Sequence, residues 1–190
     1  MTARDGMSTL ILELRGLSNS GTADYTIGTA SYWSDDHLQT ILDRNRVDLY
    51  RHPTEAILSY NDGDVEYKEY HIGYGHLEQG TAYFEVEDSA GTTVGTANYT
   101  ADYNTGVLAF DEDQGGTAYL FTGRSYDIYR AAAEVWRQKG AYYATQFDIT
   151  SDNHSMRRSQ IMKQCIEMAS FYEARATTGG NTELVRSDTT

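Results

Sequence analysis

The stretch Thr122–Ala176 reads TGRSYDIYRAAAEVWRQKGAYYATQFDITSDNHSMRRSQIMKQCIEMASFYEARA, and its reading decides the fold expected of this chain. It predicts two helices back to back, joined by an Asp/Asn-rich corner. The first runs roughly from Tyr126 to Tyr143, with Tyr129, Ala132, Ala133, Trp136, Gly140 and Tyr143 on one face. The alanines and Gly140 admit a second backbone at close range, while Trp136 supplies bulk. Ser151-Asp152-Asn153 is the expected cap of the second helix, whose stripe is Ile161, Cys165, Met168, Ala169 and Tyr172. The stretch is heavily specified for packing and holds no constellation that would do chemistry. That combination points to a building block rather than a catalyst.

Upstream, Met7, Leu10, Ile11, Leu14 and Leu17 follow the i, i+3, i+4, i+7 rule and predict a short amphipathic helix. Met1–Gly6 adds no periodic pattern, so Met7 is an alternative start. Ser18–Ser31, rich in Ser, Thr and Gly, reads as a loop. Ser34 suits an N-cap, and Asp35 and Asp36 suit the positive end of the helix that follows. Leu38, Ile41 and Leu42 make its buried face, and Arg44 and Arg46 favour its C-terminal end. Pro53 closes this first helical section.

From Thr54 to Gly123 the texture changes to Gly, Tyr, Thr and Val with closely spaced turn signals. Asn61-Asp62-Gly63, Asp88–Gly91 and Asp102–Gly106 read as turns. Strands are expected at Val65–Ile72, Ala82–Val86, Asn98–Asp102, Val107–Phe110 and Tyr119–Thr122. In Val65–Ile72 the alternation changes phase, which predicts a bulge. Thr177–Thr190 is polar and aperiodic and reads as a flexible tail. The expected fold class is therefore α+β. Residues 1–53 and 124–176 would form a bundle of about four helices, with an inserted small antiparallel β-region at 54–123 and an extended tail at 177–190.

The chain has 190 residues, enough for one domain with a real core or a small domain carrying an insertion. A net charge of −13 argues against gripping a phosphate backbone by charge neutralisation. Sixteen tyrosines fit either a Tyr-rich β surface or extensive subunit contact, since Tyr offers large area with few torsions to freeze. The one cysteine, Cys165, reads as a small core residue and leaves no internal disulfide. No apolar run approaches membrane-spanning length and no signal peptide opens the chain, so a soluble protein made in a reducing cytoplasm is expected.

Candidate chemistry is sparse. His71 and His76 flank a Gly-rich turn but lack a third metal ligand. Asp111 and Asp113 before Gly115-Gly116 hint at a calcium loop whose twelfth-position carboxylate is missing, so a plain turn is expected. Carboxylate pairs that would serve glycoside hydrolysis cannot be placed from sequence. There is no GxSxG elbow, Walker loop or dinucleotide fingerprint. Arg157 and Arg158 stand at the unfavourable N-terminal end of a helix, which either solvation or an ion pair with an acidic neighbouring subunit explains.

Three segments carry a resemblance: WSDDHLQTILDRNRVDLYR (Trp33–Arg51), TGRSYDIYRAAAEVWRQKGAYY (Thr122–Tyr143) and SDNHSMRRSQ (Ser151–Gln160). Together with the opening LILELRGL and ADYTIGTASYW, they resemble the head–tail connector, or adaptor, proteins of tailed bacteriophages over roughly Met7–Ala176. The resemblance implies a structural, non-enzymatic virion protein of the head–tail neck, made in the host cytoplasm. It implies a homo-oligomeric ring, usually a dodecamer, seated between the portal protein and the next neck, stopper or tail protein. The ring would extend the DNA channel without sticking to the passing genome, and neither cofactor nor metal nor membrane is expected. The candidate subunit or portal interface is Trp136, Tyr143, Arg157, Arg158, Thr177 and Arg186. The alternatives are a tail-completion or fibre-linked virion module with a β ligand-binding face and, in another class, a carbohydrate hydrolase using carboxylates of the β-region.

Overall fold

Helix α1 (Ser8–Ser18) buries Leu10, Ile11 and Leu14, as its period predicts, and Met7 packs with them. The computed structural model describes residues 3–61, 64–145, 149–151, 154–156 and 158–176; for 149–151, 154–156 and 158 it describes the backbone only. After α1 come two short antiparallel strands, β1 (Tyr25–Ile27) and β2 (Ala30–Tyr32), joined by a two-residue turn with Gly28 at φ 61°. Helix α2 (Asp35–Arg44) starts at Ser34, whose hydroxyl accepts the His37 N–H at 3.3 Å, and buries Leu38, Ile41 and Leu42. Helix α3 (Ile128–Ala144) is capped by the Asp127 carboxylate, which accepts the Arg130 N–H at 2.9 Å. It is the central helix, burying Ile128, Ala131, Ala132, Ala133 and Val135 against α1 and α2.

Helix α4 (Arg158–Glu173) packs along α3 through Cys165, Ala169 and Tyr172, the stripe read from sequence. A Cβ at Gly140 would stand 3.4 Å from the Cys165 Cβ, an ordinary contact, so α4 lies beside α3 there but does not require the glycine. Cys165 is buried and unpaired, a small core residue.

Between the helical segments lies a second layer. Strands β3 (Arg46–Pro53), β4 (Glu55–Asn61), β5 (Asp64–His71), β6 (Phe84–Asp88), β7 (Tyr99–Asp102), β8 (Val107–Phe110) and β9 (Tyr119–Tyr126) form two antiparallel sheets, ordered β3-β9-β6 and β4-β5-β8-β7. Strand β9 is central and alternates as far as Ser125, turning Tyr119, Phe121, Gly123 and Ser125 inward. The inner faces share one core: Leu49, Phe84, Val86 and Phe121 from the first sheet meet Tyr70, Tyr99, Leu108 and Phe110 from the second. Tyr119 bridges the sheets, its ring 5.1 Å from Tyr70 and 4.9 Å from Phe110. Strand β3 runs into β4 across Thr54, so the chain changes sheets just after Pro53.

Turn chemistry explains much of this register. Asp102 accepts the N–H groups of Asn104 and Thr105, and Gly106, at φ 74°, closes the β7–β8 hairpin. Asp88 does the same for Ala90 and Thr92. The predicted bulge is present: Ile57 pairs with Glu69 but Ser59 with Glu66, so β5 carries one residue more than β4. The N–H of Tyr67 in that bulge donates to the Asp113 carboxylate at 2.8 Å. That carboxylate also accepts the Gly115 N–H at 3.0 Å, so it fastens a plain turn to the sheet.

The fold class differs from the expectation. This is a mixed α/β protein in which strands outnumber helices and the sheets own a separate core, not a helical bundle with a small β insert. The β layer spans Arg46–Tyr126, taking in residues assigned to the bundle on both sides. Arg46 opens β3 rather than ending α2, because Val47-Asp48-Leu49 alternates and an edge strand tolerates Pro53. The expected loop before Trp33 contains β1 and β2. The expected cap Ser151 lies instead in β10 (Ile149–Ser151), which pairs with β11 (His154–Met156), and α4 begins at Arg158. The tail 177–190 lies outside the described residues.

Charge fastens the two layers together. Arg4 donates two bonds to Asp43 of α2, at 2.8 and 2.7 Å, and reaches Glu78 of the β layer at 3.1 Å. Burial alone raises the Asp43 pKa, but the Arg4 hydrogen bonds, with the attraction of Arg4, Arg46 and Arg124, outweigh it and hold the carboxyl below its ordinary value. A depressed carboxyl stabilises the fold above its unfolded pKa, about 4, and that contribution disappears as pH falls through the folded value. Asp43→Asn is expected to lower stability at neutral pH and to flatten the stability–pH curve below about pH 4. Urea midpoints measured from pH 7 to pH 2.5 check this; an unchanged acid slope contradicts it.

Candidate interaction site

Two of the predicted interface residues, Trp136 and Tyr143, line one groove of about 440 Å³ with Asn19, Tyr25, Lys139 and Cys165. One wall is α3, whose i, i+3 spacing sets Trp136 and Lys139 side by side over the end of α1. The last carbonyls of a helix lack intrahelical donors. Here the Trp136 indole N–H donates to the Leu17 carbonyl at 3.2 Å, and the Lys139 ammonium donates to Ser18 and Asn19 at 2.8 Å each. A cation at this negative helix end is favoured by the backbone dipoles. Burial pushes the Lys139 pKa down, and nearby Asp24, 3.7 Å away, pulls part of it back. The ammonium also sits 5.1 Å from the Trp136 ring centre.

Aromatic rings of β1 and of the end of α3 stand beside these groups. Tyr25 of β1 stacks on Tyr32 of β2 at 5.0 Å and on Tyr142 of α3 at 3.9 Å. Burial, with neighbouring tyrosines, raises the Tyr25 pKa. Tyr143 is half-buried and meets Tyr142 edge-on. The groove thus holds α1, the β1–β2 hairpin and α3 together, and the polar groups of Trp136 and Lys139 are used within the chain. Arg158 opens α4, but its side chain is not among those described. Arg157, Thr177 and Arg186 lie outside the described residues.

Elsewhere, His71 contacts the Thr105 carbonyl while His76 faces Glu13, so the two do not share a site. Among the described residues no group of three His, Cys, Asp or Glu side chains is arranged to hold a metal ion. Among the same residues no helix is long and apolar enough to cross a membrane.

The sequence reading missed the uncovered apolar surface. On β3–β5, Val47, Tyr50, Ile57, Leu58, Tyr60 and Val65 are exposed, Tyr50 by 82% and Tyr60 by 73%. On α4, Ile166 and Phe171 are exposed by 50% and 46%. Strands β3 and β4 are each the edge of their sheet, so their outer backbone groups are unpaired within the sheets. The available signal was the run Ala56–Tyr60, too apolar for the two-residue alternation of a strand with one wet face. No protein-family model matches the chain, and none of the curated proteins compared with it is significantly similar in sequence.

Proposed function

We propose that this chain is a non-enzymatic head–tail adaptor of a tailed bacteriophage, one subunit of a closed ring between the portal and the next neck or tail protein. The observation that carries the reading is the apolar surface along β3–β5, where Val47, Tyr50, Ile57, Leu58, Tyr60 and Val65 are exposed. A ring closes through heterologous contacts, in which one patch of a subunit meets a different patch of its neighbour. Monomers rarely leave so many large apolar side chains exposed on neighbouring strands without use. The segments that resemble adaptors supply α2, α3 and the start of α4, and a net charge of −13 suits a channel wall that a polyanion slides past. Cryo-electron microscopy of the particle neck tests the reading. Density for this chain in a ring beneath the portal is expected; its absence from the unique vertex overturns the assignment.

A tail-completion or fibre-linked module with a β ligand-binding face is the second reading. It is favoured by the separate core of the β layer, which gives the sheets the means to stand as a recognition unit. Density on a fibre or at the tail tip would select it.

A further inference from the structure

Strands β3, β4, β6 and β7 are the edges of the two large sheets, and three of them are blunted. Strand β3 carries Arg46, Asp48 and Arg51, holds Arg51 at φ 47° and ends on Pro53. Strand β6 is overlaid by residues 92–94: the Asp88 N–H donates to the Thr92 carbonyl and the Val94 N–H to the Val86 carbonyl. Strand β7 has only four residues. Strand β4 has seven, with no proline, no lysine or arginine, and its one charge at Glu55.

The β4–β5 hairpin has two contrasting faces, because residues directly opposite each other in an antiparallel pair share a side. One face carries Ala56, Leu58 and Tyr60 of β4 with Val65 and Tyr70 of β5. Ala56 and Tyr70 pack in the β core, and the other three continue that apolar side into solvent. The reverse face carries the described carboxylates of the hairpin: Glu55, Asp64, Glu66 and Glu69. Glu66 is paired with Lys68 at 3.2 Å. Glu55, Asp64 and Glu69 are exposed and have no ion-pair partner among the described residues.

We infer that the open edge of β4 takes up an extended segment of a partner protein in which apolar residues alternate with lysine or arginine. The segment bonds the outer backbone groups of β4 and becomes a fifth strand of that sheet. Its apolar residues lie beside Leu58 and Tyr60 on the core side. Its cations lie on the reverse face, next to Glu55 and two strand spacings, about 10 Å, from the backbone that bears Asp64 and Glu69. Long side chains of opposite charge meet across that span. A second copy of β4 is the poorer occupant: it would set one carboxylate face beside another, in a chain whose net charge is already −13. The inference stands without the adaptor reading, and it leaves Val47 and Tyr50, on the other sheet, for contact between subunits.

The probe is an end-capped peptide of seven residues, the length of β4, alternating lysine and valine. It is titrated into the full chain up to about 1 mM, and binding is read by calorimetry and by amide hydrogen exchange. The alternating peptide is expected to slow exchange within Ala56–Tyr60 and to bind at least about 10-fold more tightly than a peptide with the same lysines and valines in separate blocks. Binding should weaken as salt screens the charges. Leu58→Lys, which guards the edge as natural edges are guarded, should weaken it at least about 10-fold. Glu69→Lys should cost about 3-fold, the scale of an exposed ion pair. Val47→Lys places the same new charge on the other sheet and should change nothing. No protection of β4 at the highest concentration, equal affinity for the block peptide, protection centred on another segment, or equal losses in Val47→Lys and Leu58→Lys each overturns the inference. Protection of β4 that grows with protein concentration in the absence of peptide would assign the edge to a second copy, and overturns it as well. The wild-type exchange map decides the question even where a variant fails to fold.

Discussion

Replacing Arg4 and Arg124 together by alanine is expected to destabilise the protein by about 3–5 kcal/mol, the range for leaving a buried charge without its partner. The charge is Glu78, whose side chain is fully buried between the layers. Its carboxylate accepts from Arg4 at 3.1 Å, from Arg124 at 3.4 Å and from the Tyr126 hydroxyl at 2.5 Å. Arg124 is held over the Tyr83 ring, 3.9 Å from its centre, and Arg4 also grips Asp43. Without the two guanidinium groups only the neutral tyrosine remains to solvate the carboxylate. Adding Glu78→Gln to the double variant is expected to recover most of the loss, because the amide oxygen still accepts from Tyr126 and no charge is stranded. Urea unfolding of wild type, double and triple variants decides the matter. A double variant within about 1 kcal/mol of wild type, the scale of an exposed ion pair, would mean that solvent reaches Glu78 and that apolar packing alone joins the layers.

That network was illegible in the sequence, and the reason is physical. Arg4 lies in a segment with no period, and its bond to Tyr126 spans 122 positions. Local patterns report which face of an element is apolar; they carry no information on which distant charges meet. Where the cause is local, the reading succeeded: the Ser34 cap, the Leu38–Leu42 face, the Asp102–Gly106 turn and the β5 bulge each follow from a few adjacent residues. Strand β3 failed because Arg44 and Arg46 imitate a helix end and Pro53 imitates a stop, whereas an edge strand accepts both. β1 and β2 failed because three residues are too few for alternation to register. In the groove, Trp136 and Tyr143 were correctly placed on one face of α3, but that Trp136 would bond the end of α1 could not be foreseen. On β4 the alternation rule has no purchase, since Ile57 and Leu58 point to opposite faces and both meet solvent.

Trp33→Ala is expected to remove about 3–5 kcal/mol as well, by a different route, the loss of a large buried side chain and the cavity it leaves. Trp33 joins β2 to α2 and is fully buried in the helical core. Its ring meets Tyr25 at 5.9 Å, Tyr32 at 5.3 Å and His37 at 5.1 Å, all edge-on, and the Lys139 ammonium lies 5.9 Å from its centre. The indole therefore backs the aromatic rings of the groove and the lysine that closes α1. Its N–H is buried and donates to no protein acceptor among the described residues. An unpaired buried donor costs about 1–3 kcal/mol, so Trp33→Phe removes a liability along with part of the ring. The phenylalanine variant is accordingly expected to lose less than about 1.5 kcal/mol, the ceiling for well-tolerated apolar swaps. Trp33→Phe also leaves Trp136 as the sole indole, so fluorescence-detected unfolding reads the groove directly. Equal losses in the two variants would show that the indole N–H does find a partner and that polarity, not ring volume, fixes this corner. A small loss in both would show that the hairpin and α2 are held by the Arg15 bonds to the Trp33 carbonyl and to Asp35, at 2.9 and 2.6 Å, which neither substitution touches.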